Sequence, residues 1–306
     1  MNVTAAGIAL AVLAVALIGP VPAVLSRAQW THREPRAALV CWQAIGLSGG
    51  LALLGATTAM ALAPLGGDLR DALFAWIRNL ATGDLTGGLG TWHQVLMVAT
   101  IVVYLRLLGV LITTTRRTWI LRRRHRDLVD LVADPWPTGR PGRGQVLNHP
   151  GAAAYCLPGR TPRVVVTTGA LDLLDDAELG AVLEHEDAHI RERHDLVALP
   201  FAAWTRALPW FPGIRRARLA VDSLLEMVAD DSAADRCDRN ALASALARIA
   251  TVGGAATPAG AIASTGGTML ARVRRLLDPP PRSRRLRVVL YATAVVLFAL
   301  PALVLI

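Results

Sequence analysis

Four stretches of this chain are apolar for about the twenty residues that a bilayer-crossing helix needs: 4–25, 37–65, 94–115 and 288–306. The second is rich in Gly and Ala, small side chains that let membrane helices approach closely. Between the third and fourth stretches the pattern changes. A Pro/Gly-rich linker, DPWPTGRPGRG (134–144), leads to short β-like runs at 145–148, 153–157 and 163–168, which predict a small sheet. Asp175, with Glu178 three residues on, reads as a helix N-cap and its partner. Leu179, Val182, Leu183, Glu186 and Ile190 follow at helical spacing, so a helix is expected over about 176–194. Further helical patterns cover about 217–236 and 240–250. Residues 252–268 are small and low in complexity, predicting a mobile loop before a short basic helix, MLARVRRLL. Residues 196–212 are apolar, but three prolines and Arg206 interrupt them, so a regular spanning helix is not expected. They read either as a buried or interfacial hairpin joining two helices, or as an element dipping into the membrane.

Composition agrees with the spans, since 53% of the 306 residues are hydrophobic and mean hydropathy is +0.42. The net charge of +9 could indicate nucleic acid, anionic lipid or cytoplasmic loops at a membrane, and position decides among them. Arg27, Arg33 and Arg36 follow the first span. Arg116, Arg117, Arg122, Arg123, Arg124 and Arg126 follow the third, and Arg282, Arg284, Arg285 and Arg287 precede the fourth. The loop between the second and third spans has only Arg70 and Arg78 against Asp68, Asp71 and Asp84. Loops rich in arginine stay in the cytoplasm, so both termini are expected outside and residues 116–287 inside. Each basic run abuts a span and none is interleaved with stacking aromatics, so direct nucleic-acid binding is not expected. A secretory signal peptide carries positive charge before its apolar stretch; here the first arginine follows it, and a retained helix is expected. Three cysteines, Cys41, Cys156 and Cys237, lie far apart without C-x-x-C spacing and imply reduced thiols. The expected fold is a mainly α membrane protein: a three-span region (1–115), a cytoplasmic α+β domain (116–287), and a fourth span (288–306).

Residues 185–189 read HEDAH, and the α+β domain over 116–287 is therefore expected to be a zincin-like metallopeptidase domain. Two imidazoles at i and i+4 project from one helix face and converge on one ion, a spacing suited to zinc. Glu186 lies about 100° around the helix from His185, where it can reach the attacking water without displacing a ligand, and it is the expected general base. A catalytic zinc site takes a third protein ligand. Glu226, within LLEMVADDSAAD, is the only glutamate after Glu192 and is the favoured candidate. Asp195 competes, because H-E-x-x-H-x5-D resembles a metzincin set, but that bend needs glycine where this chain has Glu192. Asp230 reads either as an acceptor for a ligand imidazole or as a solvated helical aspartate. His194 either orients the site or steadies an oxyanion, or else is a helix-terminal histidine favoured by the dipole.

AAYCLPGR (153–160), RVVVTTGAL (163–171), DDAELGAVLEHEDAHIRERHD (175–195) and Glu226-x-x-Ala229-Asp230 resemble the antirepressor-type membrane metallopeptidases related to beta-lactam sensor-transducers. The likeness is more distant to the prenyl-protein endopeptidases and heat-shock membrane proteases, which usually have glycine where Ala188 stands here. The resemblance implies Zn2+ held by His185, His189 and Glu226, with Glu186 as base. It also implies a bacterial multi-pass membrane protein cutting a protein substrate, such as a transcriptional repressor. Sensor-transducers continue past their fourth span into an extracellular antibiotic-binding domain; with the sequence ending at Ile306, sensing by that route is not expected. A housekeeping quality-control protease would use the same site. A non-catalytic signalling protein would not need the intact Glu186.

Overall fold

The computed structural model describes residues 2–84, 86–159, 161–253 and 259–305, without the side chains of 253–267 and 305. Among the described residues it is mostly helical, with one small sheet and four helices long and apolar enough to cross a membrane. The chain divides into two compact units, described here in turn.

The first unit comprises residues 1–114, 200–221 and 283–306. Helix α1 (Val3–Ile18) breaks at Gly19–Pro20 and continues as the short α2 (Pro20–Leu25), where Pro20 takes the first helical position, at which its missing N–H costs nothing. The second candidate span is α3 (Pro35–Leu62), whose buried Ala and Gly positions face α1 and α12 (Arg284–Leu305). Polar groups on α3 stitch it to α12: Cys41 donates to the carbonyl of Leu290 at 3.0 Å, and Ser48 donates to that of Leu297. Such bonds suit a medium where small residues and hydroxyls, rather than hydrophobic contrast, join helices. The loop after α3 contains a helix that the sequence pattern did not predict, α4 (Leu69–Ala81), started by the Asp68 side chain accepting from the Asp71 amide at 2.8 Å. The third candidate span belongs to α5 (Thr91–Val132), which continues well past residue 115. Arginine is a good helix former, so the charged run 116–126 does not interrupt it.

The second unit comprises 115–199 and 222–282. Its sheet has four strands, β1 (Asp134–Pro135), β2 (Gln145–Leu147), β3 (Ala154–Leu157) and β4 (Arg163–Thr167), in the order β1-β2-β4-β3. Strands β2 and β4 are parallel, and β1 and β3 pair antiparallel at the edges, with Cys156 opposite Val164. The linker 134–144 therefore begins with a short strand rather than lying outside the sheet. After β4 comes α6 (Thr168–Leu173), then α7 (Asp176–Arg191). The expected capping box is present at α7: the Asp175 carboxylate accepts from the Glu178 amide at 2.8 Å, and Glu178 accepts from the Asp175 amide at 3.1 Å. Glu178, 4% exposed, also accepts from Ser244 and Arg248, each at 2.6 Å, which ties α7 to α10 (Arg239–Gly253). Val164, Val166, Ala170, Leu179, Val182 and Leu183 form the core between sheet and helix.

Two expectations about element boundaries are corrected. The helix expected over 176–194 ends at Arg191, because Arg193 takes φ 53°, a left-handed conformation that ends a helix. His194 instead opens α8 (His194–Ala207), followed by α9 (Pro212–Ala234). The loop expected over 252–268 falls partly on 254–258, outside the described residues. From Ala259 the backbone is helical, as α11 (Ala259–Leu277).

Candidate active site

Helix α7 carries His185 and His189 one turn apart, and their Nε2 atoms lie 3.2 Å from each other. Glu226 comes from α9, with Oε2 3.5 Å from Nε2 of His185 and Oε1 3.6 Å from Nε2 of His189. These three residues offer ligand atoms that all lie within 4.8 Å of one another. Zinc bound tetrahedrally at about 2.0–2.1 Å separates its ligand atoms by about 3.3 Å. The triangle thus has the size and the nitrogen–nitrogen–oxygen chemistry that fit a zinc ion.

Asp230, one turn beyond Glu226 and 1% exposed, brings Oδ1 to 3.0 Å from Nδ1 of His185. That nitrogen faces away from the triangle, where a carboxylate can fix the ring's orientation. Asp230 is held in turn by Arg272 of α11, through Nε to Oδ2 and Nη2 to Oδ1, both at 2.7 Å. Nη1 of Arg272 reaches Oε2 of Glu226 at 2.8 Å. Sequence reasoning missed Arg272, because MLARVRRLL reads as a uniformly basic helix. The available signal was the doublet Asp230–Asp231 in an otherwise apolar stretch, since Arg275 forks onto Asp231 at 2.6 and 2.7 Å in the same way.

The charges are strongly coupled. Burial raises the carboxyls of Glu226 and Asp230, but His185 and Arg272 overcome it and hold both at about 2. Burial also opposes charge on His185, and is outweighed by Asp230 and Glu226, which lift that imidazole to about 9. His189, with burial dominant, drops to about 4. A metal at Nε2 takes the place of the His185 proton there, so binding releases protons. Burial pushes Glu186 up to about 7, against the pull of His185. A carboxyl there titrates near neutrality, where a general base transfers protons best. Its hydrogen-bond partner is Cys156 of β3, whose thiol burial pushes up to about 12, leaving it a donor rather than a nucleophile.

His194 is 5% exposed and sets Nδ1 2.9 Å from Nδ1 of His189. The left-handed Arg193 turns the chain back so that His194 meets the ring it follows by five residues. Asp195 does not join the triangle, and pairs with Nη1 of Arg122 at 2.8 Å.

Residues 122–214 match the model of peptidase family M48. The matched stretch includes HEDAH, and Glu226, Asp230 and Arg272 lie beyond it. No curated protein and no solved structure matches the chain. The M48 match supports a membrane-associated metallopeptidase acting on protein or peptide substrates, in a family that generally uses a metal, usually zinc.

Proposed function

We propose that this chain is an integral-membrane zinc endopeptidase that hydrolyses a cytoplasmic regulatory protein such as a transcriptional repressor. The observation that carries the peptidase reading is the convergence of His185, His189 and Glu226 beside Glu186, with the HEDAH motif inside the M48-matched stretch. The resemblance to antirepressor-type peptidases is what points to a regulatory substrate.

Zinc, when held by His185, His189 and Glu226, supplies polarisation of the scissile carbonyl and acidifies the attacking water. Glu186 takes the proton from that water and passes it to the leaving amine, with Cys156 steadying its carboxylate. Asp230 keeps the His185 ring oriented, and Arg272 holds both Asp230 and Glu226. The outer edge of β3 offers unpaired backbone groups to an extended substrate, in the manner of strand addition.

Comparing the proteomes of cells that carry the native chain and Glu186→Ala tests the regulatory role. A single regulator and its gene targets should change. Broad accumulation of misfolded membrane proteins would instead indicate quality control.

The orientation rests on the arginine runs: the protease segment 116–287 is cytoplasmic, and the three-span region and last span place both termini outside. Reporter fusions at residue 80 should read outside and those at residue 140 inside. The reverse at either point overturns this topology.

A further inference from the structure

Arg106 is the one charged side chain in the apolar stretch 94–115. It lies ten residues before Arg116, or about 15 Å along a helix at 1.5 Å per residue, which is half the thickness of a hydrocarbon core. A guanidinium at that depth is costly, and it needs a partner. Its Nη2 donates to the backbone carbonyl of Ala207 at 3.1 Å, and Ala207 is the last residue of α8.

A helix end exposes carbonyls and the negative pole of its dipole, and in hydrocarbon no water satisfies them. The second half of α8 packs accordingly. A Cβ added at Gly50, midway along α3, would lie 2.8 Å from Cζ2 of Trp204, and Phe201 lies over Gly46. On the return, Gly213 passes so close to α1 that a Cβ there would collide with the carbonyl oxygen of Ile18. Between these contacts the turn bears Trp210 and Phe211, 66% and 41% exposed, flanked by Pro209 and Pro212. Such a tip is unfavourable in water and natural in lipid.

We propose that residues 200–214 form a hairpin inserted into the cytoplasmic half of the bilayer, latched to the third span by the Arg106–Ala207 bond. Arg206 limits the depth: exposed beside the helix end, it is a second charge whose burial in hydrocarbon is costly, which opposes passage of the hairpin into the far leaflet. The hairpin connects α7, which carries the paired histidines, to α9, which carries Glu226. The proposal rests on the multi-pass reading and not on the zinc chemistry.

The test is a nitroxide attached at Trp210→Cys, in full-length protein lacking its native cysteines and reconstituted into phosphatidylcholine/phosphatidylglycerol liposomes. Collision rates with oxygen and with a water-soluble nickel chelate report depth. Labels at Val102→Cys, exposed on the third span, and Thr138→Cys, exposed in the linker, calibrate lipid and water. Position 210 should match 102, and adding Arg106→Leu should move it towards 138, with Arg106→Lys restoring much of the native value. A signal at 210 equal to that at 138, with 102 still in lipid, overturns the hairpin. A water signal at 102 overturns the multi-pass reading itself, and the hairpin with it.

Discussion

Glu186→Gln should keep about one zinc per chain and lose about 10²- to 10⁴-fold in peptide cleavage, whereas His185→Ala and His189→Ala should lose both metal and cleavage. The difference follows from position. The two Nε2 atoms are 3.2 Å apart and offer their lone pairs to one point, so removing either ring leaves at most two protein ligands. Glu186 lies outside that triangle, and its carboxyl is engaged by Cys156 and raised to about 7 by burial. Glutamine keeps its shape and cannot accept the proton. Elemental analysis of purified variants, alongside cleavage of a fluorogenic peptide library, separates the roles. Equal zinc loss in all three variants would show that Glu186 is a ligand.

What was legible in the sequence divides along physical lines. The four long apolar helices needed only hydropathy, and α7 needed a capping box and its helical period, both local properties. His185 and His189 were legible because one helical turn fixes their relation, and Glu226 because glutamate is scarce in this chain. Arg272 was not, since the contact that gives it meaning crosses 42 residues and a low-complexity segment, and nothing in its own helix separates it from Arg274 or Arg275. The end of α7 differs from the expectation because an arginine stands where the left-handed turn ordinarily takes glycine. Helix α4 was missed inside a loop judged by charge alone. The course of 196–212 was left open because three prolines and an arginine weaken every periodic signal. The contacts with Gly46, Gly50 and Arg106, and the approach of its return to Ile18, show what the segment packs against.

Glu226→Ala should cost more zinc affinity than any neighbour outside the two histidines, and should abolish cleavage. Its carboxylate is 3.5 and 3.6 Å from the two imidazole nitrogens, and without it the ion keeps only two ligands on one helix face. Asp195→Ala should leave metal and activity within a few-fold. That carboxylate is paired with Arg122 at 2.8 Å, and a partly exposed ion pair of this kind is worth only about 0–1 kcal/mol. Asp230→Ala should fall between, losing about 10- to 100-fold in affinity or activity, since it acts on the metal only through the orientation of His185. Arg272→Leu acts on folding and on the metal site together. It strands a carboxylate that is 1% exposed, so unfolding should become easier by about 3–5 kcal/mol, with zinc affinity falling as Glu226 loses its 2.8 Å anchor. Zinc titration with a competing chelator, paired with thermal unfolding of the same samples, reads both quantities. Metal loss in Asp195→Ala with retention in Glu226→Ala would refute the ligand assignment and leave the metzincin-like arrangement in its place.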